Sequence, residues 1–391
     1  MKIAILTSGI LPVPAVQGGA AETLIDLFLD YNARHHLHDI TVFSVYHPSV
    51  KRHPSLQSSD NHYIYIDRSS SWERLKAKLY GYFHRHDFYH YQIEYFFEQA
   101  YRQLRKQMFD LIVLENRPAY ALKLSQRLTT PIVTHVHTDL VNPDTPKLVP
   151  IVNATKGFIC VSEYIRQRIL STGLTDQATV VYNGLDVHRF CNSATISVSR
   201  TSLGFADTDF VAVYSGRIIP KKGVKELVQA IQLLSTYPDI KLLVVGGDNY
   251  ADSVSSNSYL DELHDMGRQM YGRVVFTGFV ANQELSAYLR IANVAVVPSR
   301  INEALGMSCI EATALGLPVI ATNDGGIAET LVGQHHILVD KDGDLPRQLS
   351  EAILQVKNHY SEFTGNHISP LFTKEFYADN FFKAIAQYGI Q

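Results

Sequence analysis

Short apolar runs recur along this chain, each followed by a glycine-bearing or polar break and then an amphipathic stretch. Lys2-Ile-Ala-Ile-Leu6 predicts a buried strand, the Gly/Pro-rich segment Thr7 to Ala20 a loop, and Glu22 to Asn32 a helix with apolar positions at helical spacing. Ile40-Thr-Val-Phe43 predicts the next strand. The same alternation returns at Asp110–Leu114, a helix Ala119–Leu128, Pro131–His137, Gly157–Glu163, a helix Glu163–Ser171 and Thr179–Asp186. Residues 187 to 208 are polar and turn-rich. Strand and helix signals then resume at Phe210–Gly216, Val224–Leu234, Lys241–Asp248, Val274–Val280, Leu285–Ala292, Val294–Pro298, Met307–Leu315 and Leu317–Ala321, with Asn249–Ser258 a polar surface loop. Phe372–Tyr388 is a Phe-rich amphipathic helix. Alternation of this kind predicts α/β architecture built on parallel sheets.

At 391 residues the chain is long for one core, so two domains are expected. The pattern places them at 1–190 and 209–371, with a linker at 191–208 and a final helix at 372–391. The charged fraction of 19% excludes a disordered chain, and a net charge of −3 gives no basis for a nucleic-acid partner. Three cysteines without a C-x-x-C pair argue against a disulfide framework and favour a reducing cytoplasm. Ile3–Leu6 is too short for a signal peptide, and no window approaches the ~20 apolar residues of a membrane span.

Residues 72–106 stand apart. Tyr80, Tyr82, Phe83, Phe88, Tyr89, Tyr91, Tyr95, Phe96, Phe97 and Tyr101 crowd a predicted helical region with a basic excess, carried by Arg74, Lys76, Lys78, Arg85, Arg102, Arg105 and Lys106 against Glu73, Asp87, Glu94 and Glu98. Two readings stay open: a surface lying on a membrane, at the inner face of the cell membrane, or an aromatic helix core with solvated faces. His84, His86 and His90 lack metal-ligand spacing and read as surface residues.

The chemistry concentrates after the strand Val294–Pro298. Glu303 falls in a strand-to-helix loop and Glu311 about two turns down the helix that follows. The loop residues Ala304, Leu305, Gly306 and Met307 offer the free N–H groups of a helix start, which suit phosphate or a sugar oxygen. Upstream, Gly216-Arg217 and Lys222-Gly223 flank a loop entering a helix. Two cations beside a helix N-terminus form a diphosphate site, Arg217 by forked hydrogen bonds and Lys222 as a point charge, with Lys221 facing solvent. The first loop carries Gly18-Gly19, suited to close approach of backbone to phosphate or to a tight turn; it lacks G-x-G-x-x-G and a P-loop lysine, so neither NAD nor ATP is favoured. His137 ends a strand where doubly wound sheets place ligands, or is a hydrogen-bonded structural histidine; His135, which faces the same way, reads as core or as a support behind His137. Asp342-Gly-Asp344 imitates a metal motif but reads as a polar turn before a helix.

Glu303-Ala-Leu-Gly-Met with Glu311, the run Ala314-Leu-Gly-Leu-Pro-Val-Ile-Ala-Thr322, Gly216-Arg-x-x-x-x-Lys-Gly223, Asn183-Gly-x-Asp186 and Gly18-Gly19 together resemble the retaining GT-B glycosyltransferases of the family-4 type, over nearly the whole chain. The resemblance implies two doubly wound domains facing each other across a cleft, the last helix packing back on the first domain. It implies transfer of a hexose from a nucleotide-diphosphate sugar, a UDP-sugar by preference, to a glycan, lipid-linked or protein-linked acceptor in bacterial cell-surface synthesis. It gives Glu303 the donor sugar, Glu311 the ribose, the Phe279-Val280 region the base, Gly18-Gly19 the diphosphate and His137 the reacting sugar. It implies front-face attack with no metal and no cofactor. The alternative is a non-catalytic GT-B subunit that stabilises an enzyme partner.

Overall fold

A computed structural model describes the chain except residues 58, 59, 69, 85–87, 193, 248–257, 390 and 391. Arg85, His86 and Asp87, Ser193 of the expected linker, and Asp248 with most of the expected loop 249–258 lie outside the described residues. The chain forms two compact units, Met1–Gly184 with Lys374–Gln391, and Leu185–Thr373.

The first unit holds a seven-stranded sheet: β1 (Lys2–Leu6), β2 (Asp39–Val45), β3 (Asn61–Ile66), β4 (Leu111–Glu115), β5 (Ile132–Val136), β6 (Gly157–Cys160) and β7 (Ala178–Val180). Their order is β3-β2-β1-β4-β5-β6-β7, every pair parallel. The second unit holds β8 (Phe210–Ser215), β9 (Ile240–Val245), β10 (Val274–Phe276), β11 (Val294–Val297), β12 (Val319–Thr322) and β13 (His336–Val339) in the order β10-β9-β8-β11-β12-β13, again all parallel. Each sheet reverses winding direction once, at β1/β4 and at β8/β11. Loops leaving the carboxyl ends of those strands diverge there and open a crevice for ligands.

Three helices matter in the first unit: α1 (Ala20–His35), α2 (Ser71–Phe83) and α3 (Tyr91–Leu104). α1 buries Leu24, Ile25, Phe28 and Leu29 against the sheet. The C-terminal helix Lys374–Gly389 belongs to the same unit and places Tyr377, Phe381, Ile385 and Tyr388 in its core. Phe381 stacks on Phe28 with ring centroids 4.1 Å apart. Gly157 is glycine because a Cβ there would lie 2.2 Å from the Tyr388 ring.

The structure moves several expected boundaries. Residues 185–208 join the second unit, where Val187–Asn192 is helical and Thr195 hydrogen-bonds Glu284. Phe372 also stays with the second unit, its carbonyl accepting from the Leu185 N–H at 2.8 Å, so the final helix starts two residues later than its apolar pattern suggests. β3 and β13 went unrecognised. Both are sheet-edge strands whose short apolar runs, Tyr63–Ile66 and Ile337–Val339, end at an aspartate and not at the glycine or proline that marks strands such as β8 and β11. Asp344 caps the helix Leu345–Asn358, accepting from the Arg347 N–H at 3.2 Å, in keeping with a turn. Among the described residues no helix is long and apolar enough to cross a membrane.

Phe381→Ala is expected to cost about 3–5 kcal/mol, because it removes a fully buried ring and opens a cavity. Hydrogen exchange checks this: amide protection in β1, β4 and β5 falls, while protection in β8 and β9 stays.

Candidate active site

In the second unit the chemistry gathers at the carboxyl edge of β8 and β11. After Ser215 the chain passes through Gly216 (φ 146°) and a one-turn helix, Pro220–Lys222, into the helix Val224–Leu233. Gly223 joins the two at φ 71°, and a Cβ there would fall 1.8 Å from the Pro298 carbonyl oxygen. That contact requires glycine and locks the β8 loop to the β11 loop. Lys221 is exposed, whereas Lys222 is half-buried and its Nζ lies 2.5 Å from Glu303 Oε1. Ser299 Oγ donates to the same oxygen. Arg217 is half-buried on the same loop, its carbonyl accepting from the Tyr214 hydroxyl at 2.6 Å.

Glu303 stands on a loop that other backbone holds rigidly. The Gly326 N–H donates to the Glu303 carbonyl at 2.8 Å. A Cβ at Gly325 would lie 2.1 Å from that carbonyl oxygen, and one at Gly326 2.4 Å from the oxygen of Ala304. Gly306 (φ 99°) then turns the chain into the helix Met307–Ala314, while Leu305 is buried. The helix start leaves the Met307 and Ser308 N–H groups for a ligand. Glu311, half-buried on this helix, receives no hydrogen bond from the described residues, and burial pushes its carboxyl up to about 7. A desolvated, unpartnered carboxyl in a crevice is suited to take hydroxyl donors from a ligand. Phe279, 45% exposed, follows β10 beside Gly247, and Val280 is half-buried next to it.

The first unit carries a second cluster. His137 follows β5 and its Nε2 lies 2.8 Å from Glu115 Oε2, at the end of β4. His135 Nδ1 lies 3.1 Å from the same oxygen, and both His135 and Glu115 are fully buried. Burial alone would raise the Glu115 carboxyl, but the two imidazoles hold it down at about 2. Burial, then the neighbouring His135, lowers His137 against the pull of Glu115. An ionised Glu115 thus accepts from His137 Nε2–H and leaves Nδ1 as the ring's free acceptor. The ligating atoms of the three residues lie within 4.8 Å of one another, close enough to share a cation. Nearby, Glu22 is buried beneath the Gly18-Gly19 loop, accepting from Ser8 Oγ at 2.9 Å, and burial raises its carboxyl. A Cβ at Gly19 would collide with Glu22 Oε2, whereas Gly18 (φ 76°) has open space around it.

The fold therefore draws Gly216, Arg217, Lys222 and the run 303–307 to one sheet edge, with Glu311 on the helix that follows. His137, Gly18 and Gly19 sit on the other unit. Sequence reading missed Glu115, Glu22 and Ser299. Glu115 had one visible signal, a lone charge closing an otherwise apolar strand. Ser299 and Glu22 had none, because a serine after a strand and an acid in a first helical turn are ordinary.

Two pH-dependent outcomes follow. The Glu311 carboxyl is raised from 4.5 to about 7, so it favours the folded state below pH 4.5 and loses that contribution as pH climbs through 7. Glu311→Gln is expected to stabilise the fold at pH 8 by about 1–3 kcal/mol, read as a higher Tm, with the gap closing toward pH 5. The Glu115 carboxyl is lowered, so its stability is present above 4.5 and lost as pH falls toward 2. Glu115→Ala is expected to destabilise the fold at pH 7 by about 1–3 kcal/mol, read as a lower Tm, and to flatten the acid side of the Tm–pH curve.

Comparison with known proteins places this geometry. The family described as "Glycosyltransferase Family 4" matches residues 18–189, and "Glycosyl transferases group 1" matches residues 195–363. YtcC of Bacillus subtilis (strain 168) is 27% identical over 95% of this chain and 89% of its own length. Spore coat protein SA of the same organism is 26% identical over 90% and 89%. Anabaena Alr3699/HepE, solved in complex with UDP-glucose, superposes with a TM-score of 0.70 over 99% of this chain and 100% of that one, at 20% identity. Its likeness shows the fold. With both of its parallel-sheet units matched in order, the chain belongs to the family-4 type of GT-B glycosyltransferases.

Proposed function

We propose that the protein is a retaining, metal-independent hexosyltransferase that takes its sugar from a UDP-sugar and passes it to a glycan, lipid-linked or protein-linked acceptor. The observation that carries the reading is the Lys222–Glu303 pair beside Arg217 and the open start of the helix Met307–Ala314. A departing diphosphate gains negative charge, and Arg217, Lys222 and the helix N–H groups are fixed donors for it. These groups supply the neutralisation that a metal would otherwise give. Support for UDP comes from HepE, whose solved complexes hold UDP and UDP-glucose. Glu303 is assigned the hydroxyls of the donor sugar, Glu311 the ribose, and the Phe279-Val280 backbone the base. In the first unit His137 is assigned the reacting sugar and Gly18-Gly19 the diphosphate.

The bond from the sugar's anomeric carbon to the diphosphate oxygen breaks, and a bond to the acceptor oxygen forms on the same face. The acceptor's proton passes to the leaving phosphate oxygen. Glu303 is already engaged with Lys222 and Ser299, which suits a binding role over nucleophilic attack.

Lys222→Ala is expected to lower turnover at least about a hundredfold, the loss of ~3 kcal/mol of charge stabilisation. A panel of UDP-, GDP- and ADP-sugars without acceptor, read by released nucleotide, is expected to single out one UDP-sugar. That hydrolysis should vanish in Lys222→Ala and survive EDTA. Near-wild-type turnover by the variant, or loss in EDTA, would overturn the assignment.

A further inference from the structure

α2 and α3 are both rich in aromatic residues but differ in what the fold does with them. α3 turns Tyr95, Phe96, Phe97 and Ala100 into the core. α2 buries only Ala77. Its large apolar side chains face outward: Trp72 is 65% exposed, Leu75 47%, Leu79 54%, Tyr82 62% and Phe83 78%. At 3.6 residues per turn, positions 72, 75, 79, 82 and 83 share one face of about 100°, opposite Ala77. Lys76 and Lys78 fall on the two edges of that face.

The surrounding charge is predominantly basic. Residues 67–84 carry Arg68, Arg74, Lys76 and Lys78 against the carboxylates Asp67 and Glu73. Glu73 is itself engaged, accepting from Lys76 Nζ at 2.6 Å and from the Tyr95 hydroxyl at 2.7 Å. Lys76 also lies over the Trp72 ring at 5.6 Å. Arg68, Arg74 and Lys78 line a groove between α2 and α3 with Glu73, Tyr91 and Gln92.

We propose that α2 is an interfacial helix that docks the protein on an anionic lipid surface. The stripe enters the headgroup–acyl boundary, lysines at its edges meet lipid phosphates, and the groove of Arg68, Arg74 and Lys78 takes a headgroup. An apolar face flanked by lysines fits lipid better than a second copy of this chain. Pairing two such faces would bring like charges together, while an anionic membrane meets both the apolar and the charged parts. Tyr95, Phe96 and Phe97 of α3 take no part, since they are already buried.

Trp72 is the only tryptophan in the chain, so its fluorescence reports on this helix alone. Vesicles of phosphatidylcholine with phosphatidylglycerol are expected to shift its emission to the blue, and brominated acyl chains to quench it. Pure phosphatidylcholine should do neither at the same concentration. In flotation, Lys76→Gln and Lys78→Gln are each expected to weaken binding about fivefold. Leu79→Ser with Phe83→Ser should weaken it at least about tenfold without changing Tm, because both side chains are exposed. Binding that ignores these substitutions, or no blue shift on anionic vesicles, overturns the proposal. So does a concentration-dependent dimer, seen by light scattering, that the double serine variant abolishes; it would assign the stripe to a second copy.

Discussion

Lys222 and Glu303 stand 81 positions apart in sequence and meet at 2.5 Å, and the candidate donor site of the second unit is arranged around that meeting. Long-range ion pairs of this kind need both backbones held, since two flexible side chains alone gain little. Here glycine does the holding. Gly223 allows the Lys222 loop to touch Pro298, and Gly325 and Gly326 press against the Glu303–Ala304 carbonyls. The charges are thus fixed before any ligand arrives, which is what electrostatic stabilisation of a leaving group requires.

The first unit solves a different problem: keeping a charge in its core. Glu115 is fully buried, and two imidazoles from one strand edge compensate it. His135 is packed in turn against Phe381, 5.3 Å away, on the C-terminal helix. The last residues of the chain therefore support the His137 environment from behind, although they lie more than two hundred positions away in sequence. A polar cluster of this type holds its geometry only while the apolar shell around it is complete.

α2 and α3 show how little composition says about burial. Both helices carry aromatic residues in similar proportion. α3 has its aromatics in consecutive positions beside Ala100 and turns them to the sheet. α2 has its own spaced around the side opposite Ala77, and they remain outside.

Much of the fold was legible in the chain, because strands of parallel sheets are short apolar runs ended by glycine or proline, and helices between them keep a regular spacing. Lys2–Leu6, Phe210–Ser215 and Val294–Val297 announced themselves this way. The family resemblance was legible for a related reason: sharp turns between strand and helix need glycines at fixed positions, and Gly216, Gly223 and Gly306 stand at such positions, all with positive φ. Partly buried edge strands such as β3 and β13 left no comparable mark. Nor did the sequence contain the pairing of Lys222 with Glu303, the bridging of His135 and His137 by Glu115, or the exposure of the α2 stripe. Those depend on which strands become neighbours and which helix covers which face, and local spacing carries no record of contacts closed across eighty or two hundred residues.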